Sequence, residues 1–174
     1  MVTGLLVVLA LVIAGERVLE LRLAARNRSL MLSRGAEESG QAHYRWVVLL
    51  HSAWFIAWLV EAFARGPQLQ LLWPFWLAVF LLAEVLRYWC ITTLGIHWNT
   101  RILVIPGAPP VRSGPYRFLR HPNYLAVVVD LAAVPIIFNA WITAIVFTVL
   151  NLALLLLVRI PAEERALEQA VPHS

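Results

Sequence analysis

RSGPYRFLRHPNYLAV, residues 112–127, packs three arginines, a histidine, two prolines and two tyrosines into the entrance of a strongly apolar stretch. A solvated connector needs charge, but it does not need this arrangement. Tyr116–His121 suits a helical turn, and Pro122 suits the first position of a helix, where its missing N–H is not wanted. The apolar run that follows, 124–138, closes at Pro135 and the Phe138-Asn139 pair, and a second run covers 140–158. The stretch therefore introduces a tight helical hairpin, 123–137 and 140–160, whose first arm is short or broken.

Three further apolar blocks, 2–15, 46–60 and 69–83, lie upstream. The chain of 174 residues is 61% hydrophobic, against about 45–50% in an average soluble domain. A bilayer span needs about 20 residues, and helices near 2–22, 45–64, 70–94 and 140–160 meet that length. Block 2–15 has no basic residue before it and no clean small-x-small site after it, so an uncleaved span is expected there. The expected fold is an all-α integral membrane protein with five transmembrane helices and a C-terminal helical hairpin. Residues 1–174 are expected to form one membrane domain.

All fourteen basic residues are arginine. Arg22, Arg26, Arg28, Arg34 and Arg45 surround the first loop, and Arg101, Arg112, Arg117 and Arg120 fall in the third. Arg159 and Arg165 flank the tail, whereas the second loop carries only Arg65 and the 138–140 turn nothing basic. The positive-inside tendency then places the N-terminus outside and the C-terminus in the cytoplasm of a plasma or inner membrane. Topology thus explains the net charge of +4, and no nucleic-acid-reading element is evident. The lone Cys90 excludes an internal disulfide framework and is read as packing. No G-x-G-x-x-G, H-E-x-x-H or C-x-x-C occurs, so neither a dinucleotide fold nor a metal site is indicated.

The first loop, 23–44, is expected to be polar, with a short interfacial helix ending at Gly35. The third, 95–122, is broken by Pro106-Gly107, Pro109-Pro110 and Gly114-Pro115, which favour turns, and its length suits a binding or lid role. Ionisable groups inside apolar helices need partners. Glu61 with Arg65, and Glu84 with Arg87, are spaced to pair on one helix face. His51 reads as a satisfied core histidine, and Asp130 as either a ligand contact or an interhelical partner. Pro161 suits the start of a cytoplasmic helix, with Glu163 and Glu164 in its first turn.

Gly114-Pro115-Tyr116, then Arg120-His121-Pro122-Asn123-Tyr124, a helical hairpin, and Arg159 followed by Glu163-Glu164 together resemble the isoprenylcysteine carboxyl methyltransferase family over about residues 84–168. The resemblance implies S-adenosylmethionine at the cytoplasmic face, with Tyr116, Arg120, His121, Tyr124, Glu163 and Glu164 in the cofactor site. Arg159 matches a catalytic arginine beside the methyl acceptor. Many relatives carry glycine where this chain has Ala126, which still permits close helix packing. The small size resembles a bacterial branch that O-methylates long-chain alkylpyrones or phenolic lipids and accompanies polyketide-forming enzymes. The leading expectation is such an O-methyltransferase, with a lipophilic acceptor drawn from the membrane. Carboxyl methylation of isoprenylcysteine-like substrates is the alternative, and a small transporter or structural subunit the non-enzymatic one.

Overall fold

A computed structural model describes residues 1–170, so the last four residues of the expected 1–174 domain lie outside it. The elements run α1 (Val2–Ser33), β1 (Glu37–Ser39), α2 (Gln41–Ala64), α3 (Trp73–Leu94), β2 (Ile102–Val104), α4 (Pro122–Ile137), α5 (Trp141–Leu154) and α6 (Ile160–Ala170). A π-helical turn, Leu155–Arg159, joins α5 to α6. Four helical stretches are long and apolar enough to cross a membrane: Val2–Ser33, Gln41–Ala64, Trp73–His97 and Trp141–Ala170. The chain is a multi-pass membrane protein.

The shorter α4 is the bundle's centre. Ala126, Ala133 and Val134 are wholly buried, and the helix packs against α2, α3 and α5. Small residues on that face let its neighbours approach closely. At 16 residues it is about 24 Å long, which suffices for a helix surrounded by protein. Its end follows from Asn139, whose φ of 60° lets Ala140 N–H reach the Pro135 carbonyl and Asn139 N–H that of Ile136. That left-handed cap turns the chain directly into α5. Glu61 then accepts from the amides of Ile142 and Thr143 at 3.1 and 2.7 Å, a carboxylate at the positive end of α5. It also pairs with Arg65 at 3.0 Å, as their spacing suggested.

Two expectations are corrected at the end of the bundle that carries the first and third loops. The first helix does not stop near residue 22, and no separate interfacial helix follows, because α1 continues to Ser33. It ends at Gly35, where a φ of 83° allows paired bonds from Ala36 to Met31 and from Gly35 to Leu32. The first and third loops also meet. Glu37–Ser39 pairs antiparallel with Ile102–Val104, tying them together over the end of the bundle.

Mid-bundle, the expected Glu84–Arg87 pair exists at 3.4 Å within a larger network. Arg87 also binds Asp130, and Arg17 reaches Glu20 at 2.5 Å and Glu84 at 3.2 Å. Asp130 is therefore an interhelical partner. His51 Nδ1 meets the Val47 carbonyl at 2.8 Å, and Cys90 is free and buried.

Candidate active site

The N-terminus of α4, the π turn and the start of α6 converge with residues 98–104 at one end of the bundle. Pro161 has no N–H to donate to the preceding turn, and its ring crowds the carbonyl four residues back. The helix widens into the π turn just before it, a device common at functional sites. The widening carries Arg159 inward, where it is only 5% exposed. The sequence placed Arg159 at a helix exit with a new helix after it. Instead, α5, the π turn and α6 are continuous.

Arg159 Nε donates to the Tyr124 hydroxyl at 3.1 Å, and Nη2 donates to the Thr100 carbonyl at 2.7 Å. Nη1 is buried without a partner. Among the described residues no carboxylate lies in direct contact with this guanidinium, although Tyr124 donates in turn to Glu163. His121 stacks on Tyr124, with ring centroids 5.5 Å apart and 20° between planes. Its Nε2 lies 3.4 Å from Glu164 Oε1. His121, Tyr124, Arg159, Glu163 and Glu164 are thus brought together.

Tyr116 joins them from the 3-10 turn Gly114–Arg117. Gly114 has a φ of 53°, and a Cβ there would collide with Thr93; only glycine lets this turn press against α3. Burial pushes the Tyr116 phenol well above its ordinary range, and neighbouring Cys90 adds to the rise. It is a neutral donor at any physiological pH. Arg120 behaves differently. Its side chain is 90% exposed and reaches Glu164 at only 3.8 Å, outside the cavity that Tyr116, His121, Tyr124 and Glu163 line.

Two cavities meet here. One, of about 520 Å³, runs between α1, α2, α4 and α5 into the apolar bundle. The other, of about 100 Å³, lies under β2 and α6. Trp98, Asn99, Asn123, Tyr124 and Arg159 line both. Asn123 Oδ1 and Trp98 Nε1 are also buried without partners among the described residues, so this shared wall holds two unpartnered donor groups, Arg159 Nη1 and Trp98 Nε1, and one free acceptor.

The wall is buttressed by the part of α1 that sequence reasoning missed. Asn27 Nδ2 donates to the carbonyls of Gly95 and Trp98 at 3.0 and 2.8 Å. Asn99 Nδ2 donates to the Ala24 carbonyl at 2.9 Å. The Tyr44 and Thr100 hydroxyls are 3.0 Å apart. The Glu38 side chain, 5% exposed, binds Arg28 at 2.8 Å and Arg101 at 2.6 Å, and the Arg101 guanidinium lies over the Tyr44 ring. Burial alone would raise the Glu38 carboxyl; the Arg101 and Arg28 hydrogen bonds outweigh it and hold it below the usual carboxylate range. Neither asparagine stood out in the sequence: Asn27 sits among arginines, Asn99 lies in a loop, and both act through backbone carbonyls.

Residues 76–169 match the isoprenylcysteine carboxyl methyltransferase (ICMT) family. The chain is 36% identical over 154 residues to the uncharacterized protein YpbQ of Bacillus subtilis, covering 88% of this chain and 91% of that one. It is 27% identical over 159 residues to an uncharacterized protein of Haemophilus influenzae, covering 91% and 92% respectively. No solved structure matches.

Proposed function

Because the chain belongs to the isoprenylcysteine carboxyl methyltransferase family, we propose that it is a single-domain membrane methyltransferase that methylates an anionic oxygen on a lipophilic acceptor. The observation that carries this reading is Arg159: a buried cation held by neutral groups, with its Nη1 amino group unpartnered where the two cavities meet. A buried charge is costly without a countercharge, and a bound anion supplies one.

The acceptor's tail takes the 520 Å³ cavity, which falls within the roughly 300–1,000 Å³ usual for ligand sites. Its oxygen then meets Arg159 Nη1. The family's name favours a carboxylate, which is already ionised at neutral pH and needs no general base. This puts the carboxyl reading ahead of the alkylpyrone or phenol expected from sequence, which stands second because an enol or phenol also offers an anionic oxygen.

The methyl donor in this reading is S-adenosylmethionine, whose bound sulfonium supplies an electrophilic methyl group. The donor set suits that cation. Glu163 and Glu164 offer acceptors to an ammonium, and the stacked His121 and Tyr124 rings offer faces to a positive sulfur. Tyr116 stays a neutral hydrogen-bond donor beside them. The 100 Å³ cavity is smaller than a ligand site of this kind, so binding requires the strap around Ile102–Val104 to open. Arg120 acts from outside through Glu164. Bringing the acceptor oxygen into line with the donor's methyl where the two cavities meet, away from water, is a large part of what such an enzyme must do. The O–CH3 bond forms as the S–CH3 bond breaks, and S-adenosylhomocysteine leaves.

Five spans, with α4 as the short internal one, and arginine-rich loops in the cytoplasm would put this wall within reach of a water-soluble donor. The test is incubation of purified protein with labelled S-adenosylmethionine and three acceptors: a prenylcysteine, an alkylpyrone and a long-chain phenol. Label in a base-labile methyl ester supports the carboxyl reading, and label in a stable ether supports the second. Folded protein that labels none of them, nor any component of a bacterial lipid extract, removes the assignment.

A further inference from the structure

Phe118 and Leu119 lie outside every membrane-length helix, yet they are 74% and 44% exposed. Arg117 and Arg120 flank them, and Arg112 is exposed nearby. Their depth is set by the turn before them. At Gly114 it closes on Thr93 and Trp89 of α3. Trp89 stands five residues before the end of that helix, about 7.5 Å along its axis. The chain therefore dips beside the last turns of α3, where Tyr88 and Trp89 are half exposed, as aromatic residues are at a membrane interface. A phenylalanine and a leucine left in water gain nothing, whereas at this depth the acyl boundary is beside them.

The charges point the same way. Of the three arginines, only Arg120 has a nearby carboxylate among the described residues, Glu164 at 3.8 Å. We infer that residues 112–120 dock on the headgroups of anionic phospholipids, with Phe118 and Leu119 inserted at the acyl boundary and the arginines on phosphates. Basic side chains near an anionic surface and apolar side chains in its interface reinforce one another. Phe118, Leu119 and the three arginines line neither cavity, and this lipid site does not depend on the proposed activity. Because Tyr116 lies within the segment and His121 directly follows it, docking also anchors two sides of the candidate active site.

The test places an environment-sensitive fluorophore on Leu119→Cys, and in a second protein on Phe118→Cys; native Cys90 is wholly buried and the unlabelled parent controls for it. Each is placed in nanodiscs of phosphatidylcholine, with or without phosphatidylglycerol. Brominated acyl chains should quench the probe more than acrylamide does, most strongly with the anionic lipid. Arg112→Gln and Arg117→Gln should each move the inserted-to-exposed ratio back by roughly five-fold. Quenching by acrylamide in both compositions, equal insertion in both, or shielding from both quenchers by a second copy would overturn the inference.

Discussion

The molecule buries two polar clusters, and they differ in how their charges are balanced. Mid-bundle, Arg17 and Arg87 interlock with Glu20, Glu84 and Asp130. Each cation there has carboxylates against it, and the cluster joins α1, α3 and α4. At the end of the bundle, Arg159 meets a carbonyl and a hydroxyl and leaves its Nη1 amino group without a partner among the described residues. A network that neutralises its own cations holds helices together. A buried cation without a direct countercharge is prepared to receive one.

The largest separation between the two should come from Arg87→Met. Removing this cation strands carboxylates inside the bundle, which costs about 3–5 kcal/mol. Thermal unfolding in detergent should show it, with little change in acceptor preference in protein that remains folded. Loss of stability no greater than that of Arg159→Gln would erase the contrast. His121→Ala acts on the other cluster, and its expected effect is a roughly ten-fold weaker binding of S-adenosylmethionine, about 1.4 kcal/mol. Unchanged calorimetric binding by folded protein would take His121 out of the donor site.

Smaller effects probe the supports. Gly114→Ala forces a side chain into a left-handed conformation and against Thr93, costing about 1 kcal/mol or more. It should disturb the Tyr116 side of the site before the mid-bundle network. Glu38 gives a pH signature. Its folded carboxyl lies below its ordinary value, so its contribution to stability is present at neutral pH. That contribution falls as pH drops below the usual carboxylate range toward the depressed folded value. Glu38→Gln should flatten this acid limb of an unfolding series, and an unaltered limb would show that the clamp adds nothing.

Much of the bundle was legible because hydropathy directly reports what a bilayer demands. The apolar runs marked the helices, and Phe138-Asn139 marked the hairpin turn. Individual ion pairs also followed from helical spacing, as Glu61 with Arg65 and Glu84 with Arg87 show. The end of α1 was not legible, because residues 23–33 form helix without continuing the apolar pattern. Strand β1 is Glu-Glu-Ser, too short and polar to signal pairing, and its partner lies far along the chain. The π turn depends on how Pro161 disturbs the preceding carbonyls, which no periodicity reveals.

The candidate site divides along the same line. His121, Tyr124, Arg159 and the two glutamates were visible as residue types in order, and their convergence agrees with that pattern. Arg120 stood beside them in sequence but is almost fully exposed and reaches the site only through Glu164, outside the cavity. Asn27, Asn99 and Thr100 were invisible because they work through backbone carbonyls and tertiary contacts.

The most direct measurement is methyl transfer to a lipophilic carboxylate by Arg159→Gln, with binding of the methyl donor followed in parallel. Loss of a charge-stabilising donor in such a site is worth about 100-fold or more in turnover. The expected result is a loss of that size with donor affinity nearly unchanged. Transfer within two-fold of the parent, or equal loss of both, would contradict the role of Arg159 as the acceptor's countercharge.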